Sequence, residues 1–138
     1  MAGKVVNVAG KRKEAIARAS IKDGSGLIRI NSRLFEALPY KYAKMRILES
    51  LDVARGFVDL SKLDISVKSE GGGFMGQAEA VACAIARGLV QFTGSDELLA
   101  KYHDYDRTLL AGDSRQTEVH KPGQSSKGPR HKRQKSYR

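Results

Sequence analysis

The sequence predicts an α+β fold, a two-layer α/β sandwich in the order β-β-β-α-β-α with an extended basic C-terminal tail. Three observations carry this reading: period-two alternation in the first thirty residues, one long helix-period stretch after Gly71-Gly72-Gly73, and the loss of all periodicity beyond Asp104. A chain of 138 residues with 41% hydrophobic content can bury one core and carry an appendage.

The first strand is read at Val5-Val6-Asn7-Val8. The second is Ala15 to Ile21, where Ala15, Ala17, Ala19 and Ile21 alternate with Arg18 and Ser20, and Lys11-Arg12-Lys13-Glu14 joins the two. Asp23-Gly24-Ser25-Gly26 has turn chemistry, so Leu27 to Ile30 is expected to return as an antiparallel hairpin partner of the second strand. Asn31 or Ser32 is expected to cap a short helical stretch ending before Pro39. From Tyr40 to about Ala54, Met45, Leu48 and Leu51 mark the apolar side of an amphipathic helix, with Gly56 as its stop. Leu63, Ile65 and Val67 alternate with Asp64, Ser66 and Lys68, which predicts a half-buried fourth strand.

Phe74, Ala78, Val81, Ile85, Leu89 and Phe92 recur at three- and four-residue steps, and the intervening alanines let this helix axis approach a sheet closely. Ser95, followed by Asp96 and Glu97, caps one more short helix through Tyr102. These elements make a body over 1–105 and a tail over 106–138. The tail has too few large apolar residues to offset the entropy of ordering it, so it is expected to be irregular until bound.

Charge narrows the function. Lys and Arg total 25 against 15 Asp and Glu, a net +10 that favours a polyanionic partner. Lys121, Lys127, Arg130, Lys132, Arg133, Lys135 and Arg138 occupy the last 18 residues with no acid among them, which leaves the first 120 at only +3. Interleaved with Gly, Pro, Ser and Gln, such cations suit an extended strand laid between phosphates. Tyr137, set between Lys135 and Arg138, adds a ring that either stacks on a base or spaces the charges. Lys11-Arg12-Lys13, with Arg18 protruding from the next strand, forms a second candidate phosphate patch.

Other chemistry finds little support. No run reaches the roughly 20 apolar residues of a membrane span, and the start has no apolar leader, so a cytosolic protein is expected. Cys83 reads as a small buried side chain. Gly71 to Gln77 lacks the Lys and Ser/Thr of a P-loop and reads as a tight strand-to-helix turn, compatible with an RNA phosphate at the helix N-terminus. His103, His120 and His131 have no metal-ligand spacing, and Asp104 and Asp106 beside His103 read as surface chemistry. No enzyme, metal or cofactor is expected. The rivals are a free RNA- or DNA-binding module and a nucleotide-dependent enzyme using the Gly-rich turn.

Gly10-Lys11-Arg12-Lys13-Glu14-Ala15-Ile16-Ala17-Arg18, the Gly71 to Ala78 turn and the ending Gln134-Lys135-Ser136-Tyr137-Arg138 occur together and in order. In these motifs the chain resembles, essentially from end to end, the family of the ninth small-subunit ribosomal protein in its archaeal or eukaryotic form. The resemblance implies a left-handed βαβ crossover, shared with a domain of the fifth small-subunit protein, against the usual right-handed rule. It implies a place in the head of the small subunit on the 3′ major domain of the rRNA, among neighbouring head proteins and without homo-oligomerisation. By the same resemblance Lys11, Arg12, Lys13, Arg18, Lys121, Lys127, Arg130, Lys132 and Arg133 are implied rRNA contacts. Lys135, Tyr137 and Arg138 would reach the anticodon stem-loop of the P-site tRNA.

Overall fold

A computed structural model of the chain describes residues 3–123 and 126–130. Its strands are β1 (Val5–Arg12), β2 (Ala15–Asp23), β3 (Ile28–Ile30), β4 (Arg33–Leu34) and β5 (Leu63–Glu70). Its helices are α1 (Lys41–Ala54), α2 (Phe74–Thr93), α3 (Asp96–Tyr105) and the single turn α4 (Thr108–Ala111). The strands form one sheet in the order β1-β2-β5-β3-β4. Alternation in β2 and β5 sends Ala15, Ala17, Ala19, Ile21, Leu63, Ile65 and Val67 to one face, where α2 covers them. The fold is a two-layer α+β sandwich, and β3, α1 and β5 make its βαβ crossover, since β3 runs parallel to β5.

Close contact between α2 and the sheet rests on missing side chains. A Cβ at Gly10 of β1 would lie 2.2 Å from the Ala80 carbonyl oxygen and 2.7 Å from the Ala84 nitrogen. One at Gly88 would lie 2.6 Å from Ile21 Cδ1. Ala80, Ala82, Ala84 and Ala86 are fully buried, so the helix is enclosed on nearly all sides by the sheet, α1, α3 and α4. Ser95 caps α3, its Oγ accepting from Leu98 N at 3.3 Å. Tyr102 of α3 is completely buried and donates to the Ser50 carbonyl at 2.5 Å, which locks α3 against α1.

Several sequence expectations are corrected. Leu27 to Ile30 does not pair with β2, because β5 lies between them. The Asp23–Gly26 turn instead passes over the end of β5: Gly24 N donates to the Lys62 carbonyl, and Asp64 Oδ1 accepts from Ser25 N at 2.8 Å and Leu27 N at 3.1 Å. The eight-residue register of β2 with β5 joins segments far apart in sequence, and local turn chemistry does not reveal it. Asn31 and Ser32 are not a helix cap. Both adopt positive φ (49° and 67°) in the two-residue turn between β3 and β4, and Asn31 Oδ1 accepts from Ser69 N at 2.8 Å. Only the 3₁₀ turn Phe35–Ala37 follows. In α1 the buried positions are Ala43, Ile47, Ser50, Leu51 and Ala54, whereas Met45 is exposed. At α4, a regular element not read from the sequence, Leu109 is buried.

Two stability outcomes follow from this packing. Gly10→Ala should destabilise the chain by at least about 1–3 kcal/mol, because backbone atoms of α2 must move, and a Tm no lower than that of the parent would refute the close-approach account. Tyr102→Phe should cost about 1–2 kcal/mol in chemical denaturation by leaving the buried Ser50 carbonyl without its donor.

Candidate nucleic-acid interface

At one end of the sheet β1 and β2 are joined by the two-residue turn Lys13-Glu14, with Lys13 at φ 53°. The three adjacent cations are split by the pleat. Lys11 is exposed and lies on the face away from α2, while Lys13 is exposed at the tip. Arg12 turns inward. Its side chain is only 14% exposed, and its guanidinium meets Glu79 Oε2 of α2 at 2.5 Å, Asp113 Oδ2 at 3.3 Å and the Arg115 carbonyl at 3.1 Å. Of the four N-terminal cations implied as rRNA contacts, Arg12 is thus committed to protein, whereas Lys11, Lys13 and Arg18 face outward.

That inward arginine fixes where the tail begins. Asp113 accepts from the Arg115 side chain at 2.7 Å and from its backbone N–H at 2.9 Å, forming a compact loop held on Arg12. Those hydrogen bonds, with the nearby Arg12 charge, hold the Asp113 carboxyl well below the usual carboxylate range. Arg87 of α2 reinforces the attachment by donating to the Leu110 carbonyl at 2.6 Å and the Ala9 carbonyl at 2.9 Å. Burial disfavours charge on the neighbouring pair Arg46–Asp106, but their 2.8 Å contact prevails and lowers the Asp106 carboxyl.

The glycine-rich turn lies against the same end. Gly71 and Gly72 have positive φ (76° and 61°), and a Cβ at Gly71 would lie 2.5 Å from the Glu14 carbonyl oxygen. Gly73 precedes α2 without a side-chain cap. A cleft of about 390 Å³ opens between this turn and the hairpin, lined by Lys13, Gly72, Gly73, Gly76 and Thr117 among others. Gly71 and Gly72 form a tight turn against the hairpin, as the sequence indicated, whereas a Cβ at Gly73 would meet nothing within 4 Å; the tail passes along the cleft rim at Thr117.

Farther along the tail, Glu118 meets Arg130 at 2.5 Å and Lys121 at 3.6 Å. The Arg130 hydrogen bond lowers the Glu118 carboxyl, but these groups are open to water, so a phosphate can replace the carboxylate at little cost. Lys127 is exposed. Lys132, Arg133, Lys135, Tyr137 and Arg138 lie outside the described residues.

A sequence profile of the family described as Ribosomal protein S9/S16 matches residues 10–138, which span the hairpin cations, the glycine-rich turn and the tail. The chain belongs to the ribosomal protein S9/S16 family. Among its relatives, the small ribosomal subunit protein uS9 of Methanococcus maripaludis strain C7 is 50% identical over 135 residues, covering 98% of this chain and 99% of that one. The protein of the same name from Methanococcus vannielii is 47% identical over the same coverage. Membership of the S9/S16 family agrees with the motif resemblance and places the chain in a structural, non-enzymatic class. Among the described residues no helix is long and apolar enough to cross a membrane.

Within this S9/S16 chain the structure adds residues that the motifs did not single out. Asp113 and Arg115 anchor the tail, and no local signal marks Asp113 among the fifteen acids as a partner of Arg12. Lys22, Arg29 and Lys68 join Lys11 and Arg18 on the open side of the sheet. The alternation Asp64, Ser66, Lys68 signalled that open side, but strand order was needed to bring it beside Arg18.

Asp113→Asn should free the tail root, seen as faster hydrogen exchange over 112–117 and faster tryptic cleavage after Arg115; parental rates would contradict the anchor. Because the Asp113 carboxyl is lowered on folding, its contribution is complete above its unfolded value near about 4 and is lost as pH falls through the folded value. Protection factors over 112–117 should therefore stay level from neutral pH to about 4 and collapse only in stronger acid.

Proposed function

We propose that this chain is a structural protein of the small ribosomal subunit in the cytoplasm, with a body (1–105) that holds rRNA in the head beside neighbouring head proteins. The tail (106–138) would lie on rRNA through Lys121, Lys127, Arg130, Lys132 and Arg133. Lys135, Tyr137 and Arg138 would then reach the anticodon stem-loop of the P-site tRNA. The observation that supports this best is the fixed exit of the tail: the Arg12–Asp113 clamp starts it from the same end of the sheet that presents Lys11 and Lys13. Two basic segments far apart in sequence then act on one stretch of phosphate backbone. Relatives named as small ribosomal subunit proteins, matched over nearly their whole length, point the same way.

Phosphate contacts carry no base information and weaken with salt, which suits a tail tip that must accept each tRNA in turn. The role of Arg12 in this reading is positional. It bridges Glu79 and Asp113, the latter also paired with Arg115, and directs the tail, while Lys11, Lys13 and Arg18 provide accessible charge on the body. Nothing in the reading requires bond chemistry, a metal or a cofactor.

Removal of Lys135 to Arg138 should leave incorporation into small subunits unchanged and reduce P-site tRNA retention, most clearly at low Mg²⁺. Equal retention by truncated and intact subunits would remove the tRNA assignment. Sedimentation of the native protein apart from small subunits would favour a free RNA-binding module instead.

A further inference from the structure

All four helices pack in one layer, so the other side of the sheet carries no protein cover among the described residues. Register places its charges. Lys11 on β1 stands opposite Ile16, two residues from Arg18 on β2; Arg18 stands directly opposite Lys68 on β5. Lys68 is two residues from Ser66, which stands opposite Arg29 on β3. Residues two apart share a face, so Lys11, Arg18, Lys68 and Arg29 form one diagonal stripe across four strands. From strand rise and spacing the stripe is roughly 20 Å long.

The acids on this face do not cancel it. Glu70 is taken by Arg18 at 2.7 Å in a pair whose side chains are 61% and 51% exposed, hence exchangeable for phosphate. Asp64 is engaged by the backbone N–H groups of Ser25 and Leu27, which also lower its carboxyl. The outward positions around the cations pair Ser20 with Ser66 and include the aliphatic Ile16 opposite Lys11 and Leu34 opposite Arg29. No aromatic side chain points outward from the paired positions of β1, β2, β3 and β5.

This composition discriminates among nucleic acids. Unpaired RNA is held chiefly by stacking bases on aromatic rings, which this face lacks. An A-form duplex presents a shallow surface of phosphates and 2′-hydroxyls, which cations and serine hydroxyls can meet without reading sequence. We infer that the open face of the sheet is a second RNA surface that seats a duplex segment by its backbone, with Lys11, Arg18, Lys68 and Arg29 on phosphates and Ser20 and Ser66 on 2′-hydroxyls. This rests on the rRNA-binding reading above and separates two jobs within it: the sheet grips paired RNA, whereas the tail follows irregular RNA.

The test uses the full chain, a 20-base-pair RNA duplex of arbitrary sequence and an oligouridine of equal length, titrated across a range of salt. In Arg18→Gln/Arg29→Gln/Lys68→Gln, duplex affinity should fall by at least about tenfold and the log–log salt slope should become shallower by about 2–3. Binding of oligouridine, held by the tail, should be unchanged, and so should the Tm. The contrasting variant Lys121→Gln/Lys127→Gln/Arg130→Gln should lose oligouridine. Unchanged duplex binding in the first variant, or equal loss of both RNAs, overturns the sheet-face assignment while leaving rRNA binding standing. Failure of the parent protein to bind either RNA overturns the rRNA reading itself.

Discussion

The contact on which the rest depends is the approach of α2 to β1 and β2 at a distance that only Gly10, Gly88 and a run of alanines allow. Bulkier residues would push the helix outward and leave voids, since interiors are packed to near-crystalline density. With α2 seated this closely, one helix and its flanking partners cover the inner face of the sheet. Alternation leaves the outer face open to water, and the residues placed there are mostly small, polar or charged, with Val5, Ile16 and Leu34 as aliphatic exceptions. The seating also brings Glu79 within reach of Arg12 and Arg87 within reach of Ala9, so the helix that builds the core also secures the root of the tail.

Charge pairs in this molecule fall into two kinds. Arg12 is largely enclosed by Glu79, Asp113 and the Arg115 carbonyl, and removing both carboxylates would leave its enclosed charge uncompensated. Arg18 with Glu70 and Arg130 with Glu118 are solvated pairs of small worth, available for replacement by a stronger anion. Enclosed pairs fix the shape of the protein, and solvated pairs hold the cations that, in the proposed function, would exchange a carboxylate for phosphate. The same residue type therefore serves construction at position 12, and in the proposed function it serves recognition at position 18.

Much of this was readable from residue order, for reasons particular to each element. The alternation in Ala15 to Ile21 and Leu63 to Val67, the helix period from Phe74 to Phe92 and the Ser95 cap are local signals, and they correspond to β2, β5, α2 and α3. The insertion of β5 between β2 and β3 was not readable, because strand order is decided by pairing between distant segments while turn residues suggest only the nearest hairpin. Asn31 carries two meanings, helix cap and left-handed turn, and its bonds to Ser69 select the second. For the candidate site, the amount of charge was evident but its direction was not. Lys11, Arg12 and Lys13 are neighbours in sequence yet point to different sides, whereas Arg18, Arg29 and Lys68 are scattered in sequence yet adjacent in the sheet.

The central claim is that a sheet covered on one side only presents its bare side to RNA. Lysine acetylation rates, read by mass spectrometry on the free protein and on assembled small subunits, test it most directly. Lys22 and Lys68 on the bare face should react readily in the free protein and be strongly protected in the subunit, alongside Lys11 and Lys13 at the hairpin. Equal reactivity of Lys68 in the free and assembled states, with Lys11 and Lys13 protected, would show that RNA meets the hairpin end alone and would contradict the claim.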